Sequence, residues 1–72
     1  MRLYLVTGID PERTHYFTVR ARSAIQARDL VAGHHAVSIM EGVEHLQAIG
    51  GATQAVLHHM IVNDKTGEVS SE

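Results

Sequence analysis

The sequence predicts a single small α+β domain, in which a mainly antiparallel sheet carries two short helices on one face in the order ββαβαβ. Three observations support this fold class. Two apolar runs with strand-like alternation flank a turn segment near the start, a capped alanine-rich segment follows them, and 72 residues suffice for one domain with a thin core. The domain is expected to span residues 1–69, with a flexible C-terminal tail at 70–72.

The first two strands are predicted to form an antiparallel hairpin. "RLYLVTGI" and "HYFTVRAR" are rich in strand-forming residues, and "DPERT" between them supplies turn residues. Alternation assigns opposite faces to neighbouring side chains within each strand. We expect one face of the hairpin to contribute four residues to the core and the other face to carry tyrosine and arginine. The expected core residues are Leu3, Leu5, Phe17 and Val19.

The first helix is predicted from "SAIQARDLVAG". Ser23 followed three residues later by Gln26 is a capping-box pattern, and Gly33 stands where a helix would end. Ala24, Ala27 and Val31 fall on one apolar stripe of such a helix, with Leu30 beside it. Its small side chains suit close packing against the apolar face of the hairpin.

The middle of the chain predicts a third strand at 34–40 and a second short helix at 41–51. "HHAVSIM" alternates, whereas Val43, Leu46 and Ile49 are spaced like an apolar helical stripe that ends at a pair of glycines. A continuous helix over 36–49 is the alternative. Beyond it, "TQAVLHHMIVN" predicts another strand, and "NDKTGEV" predicts a turn that returns a brief final strand to Val69.

The histidines do not form a recognisable metal motif. In a strand, His58 and His59 would project to opposite faces, so a shared site would need partners from other strands. His35 with His59, helped by His45 or Glu44, would be one such set. The sequence has no H-E-x-x-H pattern and no cysteine, so we predict neither a metal site nor a cofactor. Paired histidines at a subunit interface would instead make association sensitive to pH.

The sequence also predicts that the protein is not an enzyme. Ser38, His45 and Asp29 could be drawn as a catalytic triad, but no nucleophile motif surrounds the serine. Glu41 and Glu44 lie on an expected solvated face and not in the cleft that acid or base catalysis requires. A core this small can scarcely surround a substrate.

The expected contact surface is the outer face of the hairpin. Tyrosine and arginine are the residue types that anchor protein interfaces and also stack on unpaired bases. The formal charge is +3 over residues 1–28 and −5 over the rest, and the acidic part disfavours wrapping of nucleic acid. We therefore predict a protein partner or a homodimer. The predicted partner-binding residues are Arg2, Tyr4, Tyr16, Arg20, Arg22, Glu41 and Glu44.

The start of the chain predicts a cytoplasmic protein without a membrane segment. "MRLYLVTGID" contains one arginine and a short apolar run that ends at Gly8. This run is too short for a signal-peptide core with its cleavage site, and far too short to cross a bilayer.

The order of segments resembles that of small phage and mobile-element proteins, among them anti-CRISPR proteins. The resemblance rests on "YLVTGIDPERTHYFTVRARS", "SAIQARDLVAG" and the hairpin-like end "MIVNDKTGEV". No motif matches residue by residue, and "GHHAVSIMEGVEHLQAIGGATQ" looks like an insertion relative to compact members. The resemblance implies a stoichiometric inhibitor of a host nucleic-acid-guided defence complex. Such an inhibitor covers basic channels with acidic groups, here Asp29, Glu41, Glu44, Asp64 and Glu68.

Two alternative functions remain open from the sequence. A homo-oligomer using the tyrosine and arginine face to bind nucleic acid or a ligand is the first alternative. A histidine metal-binding protein is the second. Measurable binding to single-stranded oligonucleotides near physiological ionic strength would favour the first alternative.

Overall fold

A computed structural model of the chain describes residues 1–34, 39–51 and 53–71. Within these residues the chain forms five strands and one helix. The elements are β1 (Arg2–Ile9), β2 (Arg13–Ala21), α1 (Ala24–His34), β3 (Ile39–Ala48), β4 (Ala55–Asn63) and β5 (Val69–Ser71).

The strands form one antiparallel sheet in the order β3-β1-β2-β4-β5. The hairpin of β1 and β2, which the sequence predicts, lies at the centre, and its turn is closed by the Asp10 amide donating to the Arg13 carbonyl at 2.8 Å. β3 and β4 are consecutive strands but pair with opposite sides of this hairpin. The connection between them therefore crosses the width of the two central strands.

Helix α1 covers one face of the sheet and begins at the predicted cap. The Gln26 amide donates to the Ser23 hydroxyl oxygen at 3.1 Å, and the Gln26 side-chain oxygen accepts from the Arg22 amide at 2.8 Å. The side chain thus reaches one residue further back than in the usual capping box. Ala27 and Val31 are buried against the sheet and Leu30 is partly buried, as the sequence predicts, but Ala24 in the first turn is exposed, so its place on the stripe is wrong.

The core lies between α1 and the central hairpin. Phe17 and Val19 are fully buried, which confirms their assignment, but Leu3 and Leu5 are only partly buried. The assignment of these two leucines to the core is wrong because β1 pairs Val6 with Phe17, which places the even-numbered residues of β1 under the helix. The buried apolar cluster is Tyr4, Val6, Phe17, Val19, Ala21, Ala27 and Val31.

The predicted ββαβαβ order is wrong, because residues 41–48 form part of strand β3 and not a second helix. The alternative helix over 36–49 is wrong for the same reason in the part of it that the structure describes. Of the predicted strand at 34–40, residues 35–38 lie outside the described residues. Register shifts near Tyr4 and near Thr7 leave Leu46 and Glu41 as extra residues in β3. These bulges interrupt the alternation of faces along β3. The three-residue spacing of Val43 and Leu46 therefore resembles the spacing of apolar residues along one side of a helix.

The last hairpin follows the predicted turn. The Asn63 side-chain oxygen accepts from the amides of Lys65 and Thr66, and Gly67 takes a positive φ of 73° that favours glycine. Strand β5 continues to Ser71, two residues past the expected end at Val69. Among the described helical residues, none forms a helix long and apolar enough to cross a membrane.

Candidate protein-binding face

The sheet face opposite α1 is the candidate binding surface, and we call it the open face. None of the described helices or strands packs against it, and its position follows from the register of the strands. Side chains directly opposite each other in paired strands project to the same side. The open face carries Leu3, Leu5, Thr7 and Ile9 of β1, Thr14, Tyr16, Thr18 and Arg20 of β2, Gly42, Glu44 and Gln47 of β3, Ala55, His58, Met60 and Val62 of β4, and Val69 and Ser71 of β5.

Apolar side chains occupy much of this open face. Ile9, Tyr16, Met60 and Val62 are half-buried by their neighbours, and Val69 is 57% exposed. Charged and titratable groups stand on the outer strands or near the strand ends. An apolar centre with a polar rim is the usual anatomy of a protein interface.

The structure does not assemble the predicted tyrosine and arginine surface. Tyr4 is only 3% exposed and belongs to the core, so its expected outward placement is wrong. Arg2 lies opposite Ala21 on the helix side of the sheet, and Arg22 follows the end of β2. Of the five predicted residues on the hairpin, only Tyr16 and Arg20 share the open face.

Arg20 holds the connection between β3 and β4. Its Nε donates to the Thr53 carbonyl at 2.7 Å, and its side chain lies 2.9 Å from where a β-carbon on Gly51 would stand. Gly51 also has a positive φ of 123°, so both the space and the backbone require glycine there. Arg20 therefore has a structural role, whether or not it contacts a partner.

Glu41 and Glu44 are exposed on β3, which forms one edge of the sheet. Two bulges and two carboxylates along this edge are features that discourage pairing with a strand of another molecule. Glu44 lies opposite Leu5 and so projects to the open face, whereas Glu41 is an extra residue at a bulge.

A chain of three titratable side chains, two buried histidines and a partly buried aspartate, lies at one end of the helix-covered face. His15 Nε2 lies 2.6 Å from Asp10 Oδ2, and His15 Nδ1 lies 2.8 Å from His59 Nε2. The two histidines are 0% and 2% exposed, and the His59 ring stacks on Phe17 with centroids 4.1 Å apart. Arg13 stands 3.5 Å from the same Asp10 oxygen.

This buried chain has a consistent proton arrangement. If Asp10 is ionised, His15 Nε2 donates to it, and the remaining nitrogen of a neutral His15 then accepts from His59 Nε2. Among the described residues, no buried side-chain nitrogen or oxygen lacks a partner. A carboxylate and two imidazoles are the groups of acid–base catalysis, but catalysis requires contact with a substrate, and these rings are enclosed by the core.

The structure confirms the prediction that His58 and His59 lie on opposite faces, whereas the link between His15 and His59 is not among the predictions. His15 precedes Phe17 by two residues in a strand, and this spacing was the available signal that it faces the core. His45 and Glu44 lie on β3, separated from His59 by the two central strands, and His35 is outside the described residues. Among the described residues, no three histidine, aspartate or glutamate side chains are grouped as metal ligands.

Comparisons of this chain with protein-family models, with curated proteins and with solved structures found no match. The resemblance to anti-CRISPR proteins therefore remains a resemblance in the order of segments.

Proposed function

We propose that this protein is a small non-enzymatic protein-binding module and that the open face is its contact surface. The observation that carries the proposal is the unequal covering of the sheet. Helix α1 buries one face, while the other face presents Leu5, Ile9, Tyr16 and Met60 without a described element over them. Burying such side chains against a partner removes apolar area from water, at roughly 25 cal/mol per Å².

Tyr16 is the expected anchor of this surface. It lies near the middle of the open face, opposite Thr7 on one side and Met60 on the other. A large aromatic side chain surrounded by smaller apolar and threonine side chains is typical of an interface hot spot.

The buried histidines support a non-enzymatic role. The chain of Asp10, His15 and His59 links the start of the hairpin turn to β4. A fully hydrogen-bonded buried network contributes to a unique packing arrangement. We therefore propose that these groups specify the fold and that function resides on the surface.

The more specific role, as an inhibitor of a nucleic-acid-guided defence complex, rests on the resemblance alone. Under that proposal the open face would bind one protein subunit of such a complex in a one-to-one ratio. The alternative role in nucleic-acid binding is weakened by the burial of Tyr4, because only Tyr16 remains to stack on a base.

The test is affinity capture from a lysate of the native host with three forms of the protein. These are the wild type, Tyr16→Ala on the open face and Ile25→Ala on α1. Ile25 is a suitable control because it is a large apolar residue that is 74% exposed on another surface. We expect a stoichiometric partner to be retained by the wild type and by Ile25→Ala but lost with Tyr16→Ala. Loss with Ile25→Ala alone would place the contact on the helix and contradict the proposal.

A further inference from the structure

The open face carries a carboxylate and an imidazole that do not contact each other within one chain. Glu44, Leu5, Thr18 and His58 form one row across the four longer strands, with the carboxylate on one outer strand and the imidazole on the other. Strands are about 4.8 Å apart, so three spacings separate the two groups by about 14 Å. They are too far apart to contact each other within one molecule.

We propose that the partner of the open face is a second copy of this chain. The two copies pack face to face about a two-fold axis that lies between the sheets, parallel to the strands and midway between β1 and β2. This inference rests on the proposed function of the open face as a protein-binding surface. It adds the identity and the arrangement of the partner.

The rotation pairs the carboxylate, a hydrogen-bond acceptor, with the imidazole, which can donate through a ring nitrogen. The rotation places β3 of one copy over β4 of the second copy. Each row of side chains across the strands then faces the equivalent row of the second copy. Glu44 then faces His58 of the second copy, and the contact occurs twice. A two-fold axis placed across the strands would instead set β3 against β3 of the second copy, which brings the Glu44 carboxylates of the two copies towards each other.

Gly42, which follows the bulge at Glu41, leaves open space on the open face that this arrangement fills. It lies opposite Thr7 within strand β3, and a β-carbon added there would meet nothing within 4 Å. Glycine inside a strand weakens it and often marks a close approach of another backbone or molecule. In the dimer Gly42 faces Met60 of the second copy, whose flexible side chain fills the space that glycine leaves.

The size of the open face is sufficient for a specific interface. Four strands about 4.8 Å apart and about eight residues long, at about 3.3 Å per residue, cover about 500 Å². Two copies would bury about 1,000 Å² in total, which is the lower limit expected of a specific protein interface. Stacking sheets about 10 Å apart would also give each thin core a second apolar layer.

The test is sedimentation equilibrium of the purified chain over a range of concentrations, with Gly42→Arg and Gly33→Arg as a matched pair. Both glycines are exposed and neither has atoms within 4 Å of an added β-carbon, but Gly33 lies in α1. We expect a concentration-dependent dimer whose Kd is raised about tenfold or more by Gly42→Arg and is unchanged by Gly33→Arg, because only the first side chain enters the interface.

A charge exchange tests the arrangement of the two copies. His58→Glu places two carboxylates opposite each other and should also raise the Kd about tenfold, whereas adding Glu44→Lys should restore the dimer. A chain that stays monomeric at all concentrations, or a dimer that none of these changes affects, overturns the inference. If the chain is monomeric and Tyr16→Ala still abolishes capture of another protein, the inference fails while the proposed function stands.

Discussion

The two faces of the sheet are built from the same strands but have different environments. Phe17 is fully buried beneath α1, whereas Tyr16, its neighbour in the chain, is half-buried on the open face. Leu5 on the open face is as apolar as Val6 on the covered face. Residue type alone therefore does not decide burial in this protein. The placement of the only described helix decides it, and an apolar face without such a cover is available for binding.

The largest difference between the faces should appear when one aromatic residue is removed from each. Phe17→Ala should cost about 3–5 kcal/mol of the free energy of unfolding, because it leaves a cavity in the core of a small domain. Tyr16→Ala should cost less than about 1 kcal/mol in the monomer. Urea denaturation at low protein concentration measures both. A larger loss from Tyr16→Ala would show that the open face is covered in the folded monomer.

The buried histidine chain gives the next largest effect on the covered face. His15→Leu should cost about 1–3 kcal/mol, because it removes the hydrogen-bond partner of His59 Nε2 and one partner of Asp10. The double variant His15→Leu with His59→Leu should cost less than the sum of the two single variants. Denaturation of all three variants gives the coupling, and additive losses would contradict a direct interaction between the rings.

A smaller effect is expected at the start of the helix that covers the sheet. Ser23→Ala removes the acceptor of the Gln26 amide and should cost about 1 kcal/mol. Ser23→Asp, which retains an acceptor and adds a negative charge near the helix N-terminus, should keep most of the stability. Thermal denaturation compares the two variants. Equal losses from both would mean that the cap does not stabilise α1.

The hairpin, the capped helix and the final turn were predictable from the sequence because each depends on local residues. Ser23, Gln26 and Gly67 act on the backbone within a few positions of themselves. The second helix was wrongly predicted because β3 is determined by pairing: β1 hydrogen-bonds to β2 on one edge, and β3 satisfies the backbone groups on its other edge. The bulges of β3 then hide the alternation that would have identified it.

The open face was only partly predictable for a related reason. Tyr16 and Phe17 were assigned to opposite faces correctly, but β1 alternates between two apolar sets, Leu3 with Leu5 and Tyr4 with Val6. Only the register between β1 and β2 distinguishes these sets. The link from Asp10 through His15 to His59 also depends on this register and on the position of β4, which no spacing along the chain reveals.

The strand order has a consequence for how the protein folds. The two central strands and the helix that covers them come before β3 and β4 in the chain, so the sheet can grow outward from a nucleus assembled early during synthesis. Each outer strand then adds to an edge that already exists. Amide hydrogens of the hairpin should accordingly be the last to exchange with solvent, and those of β5 among the first.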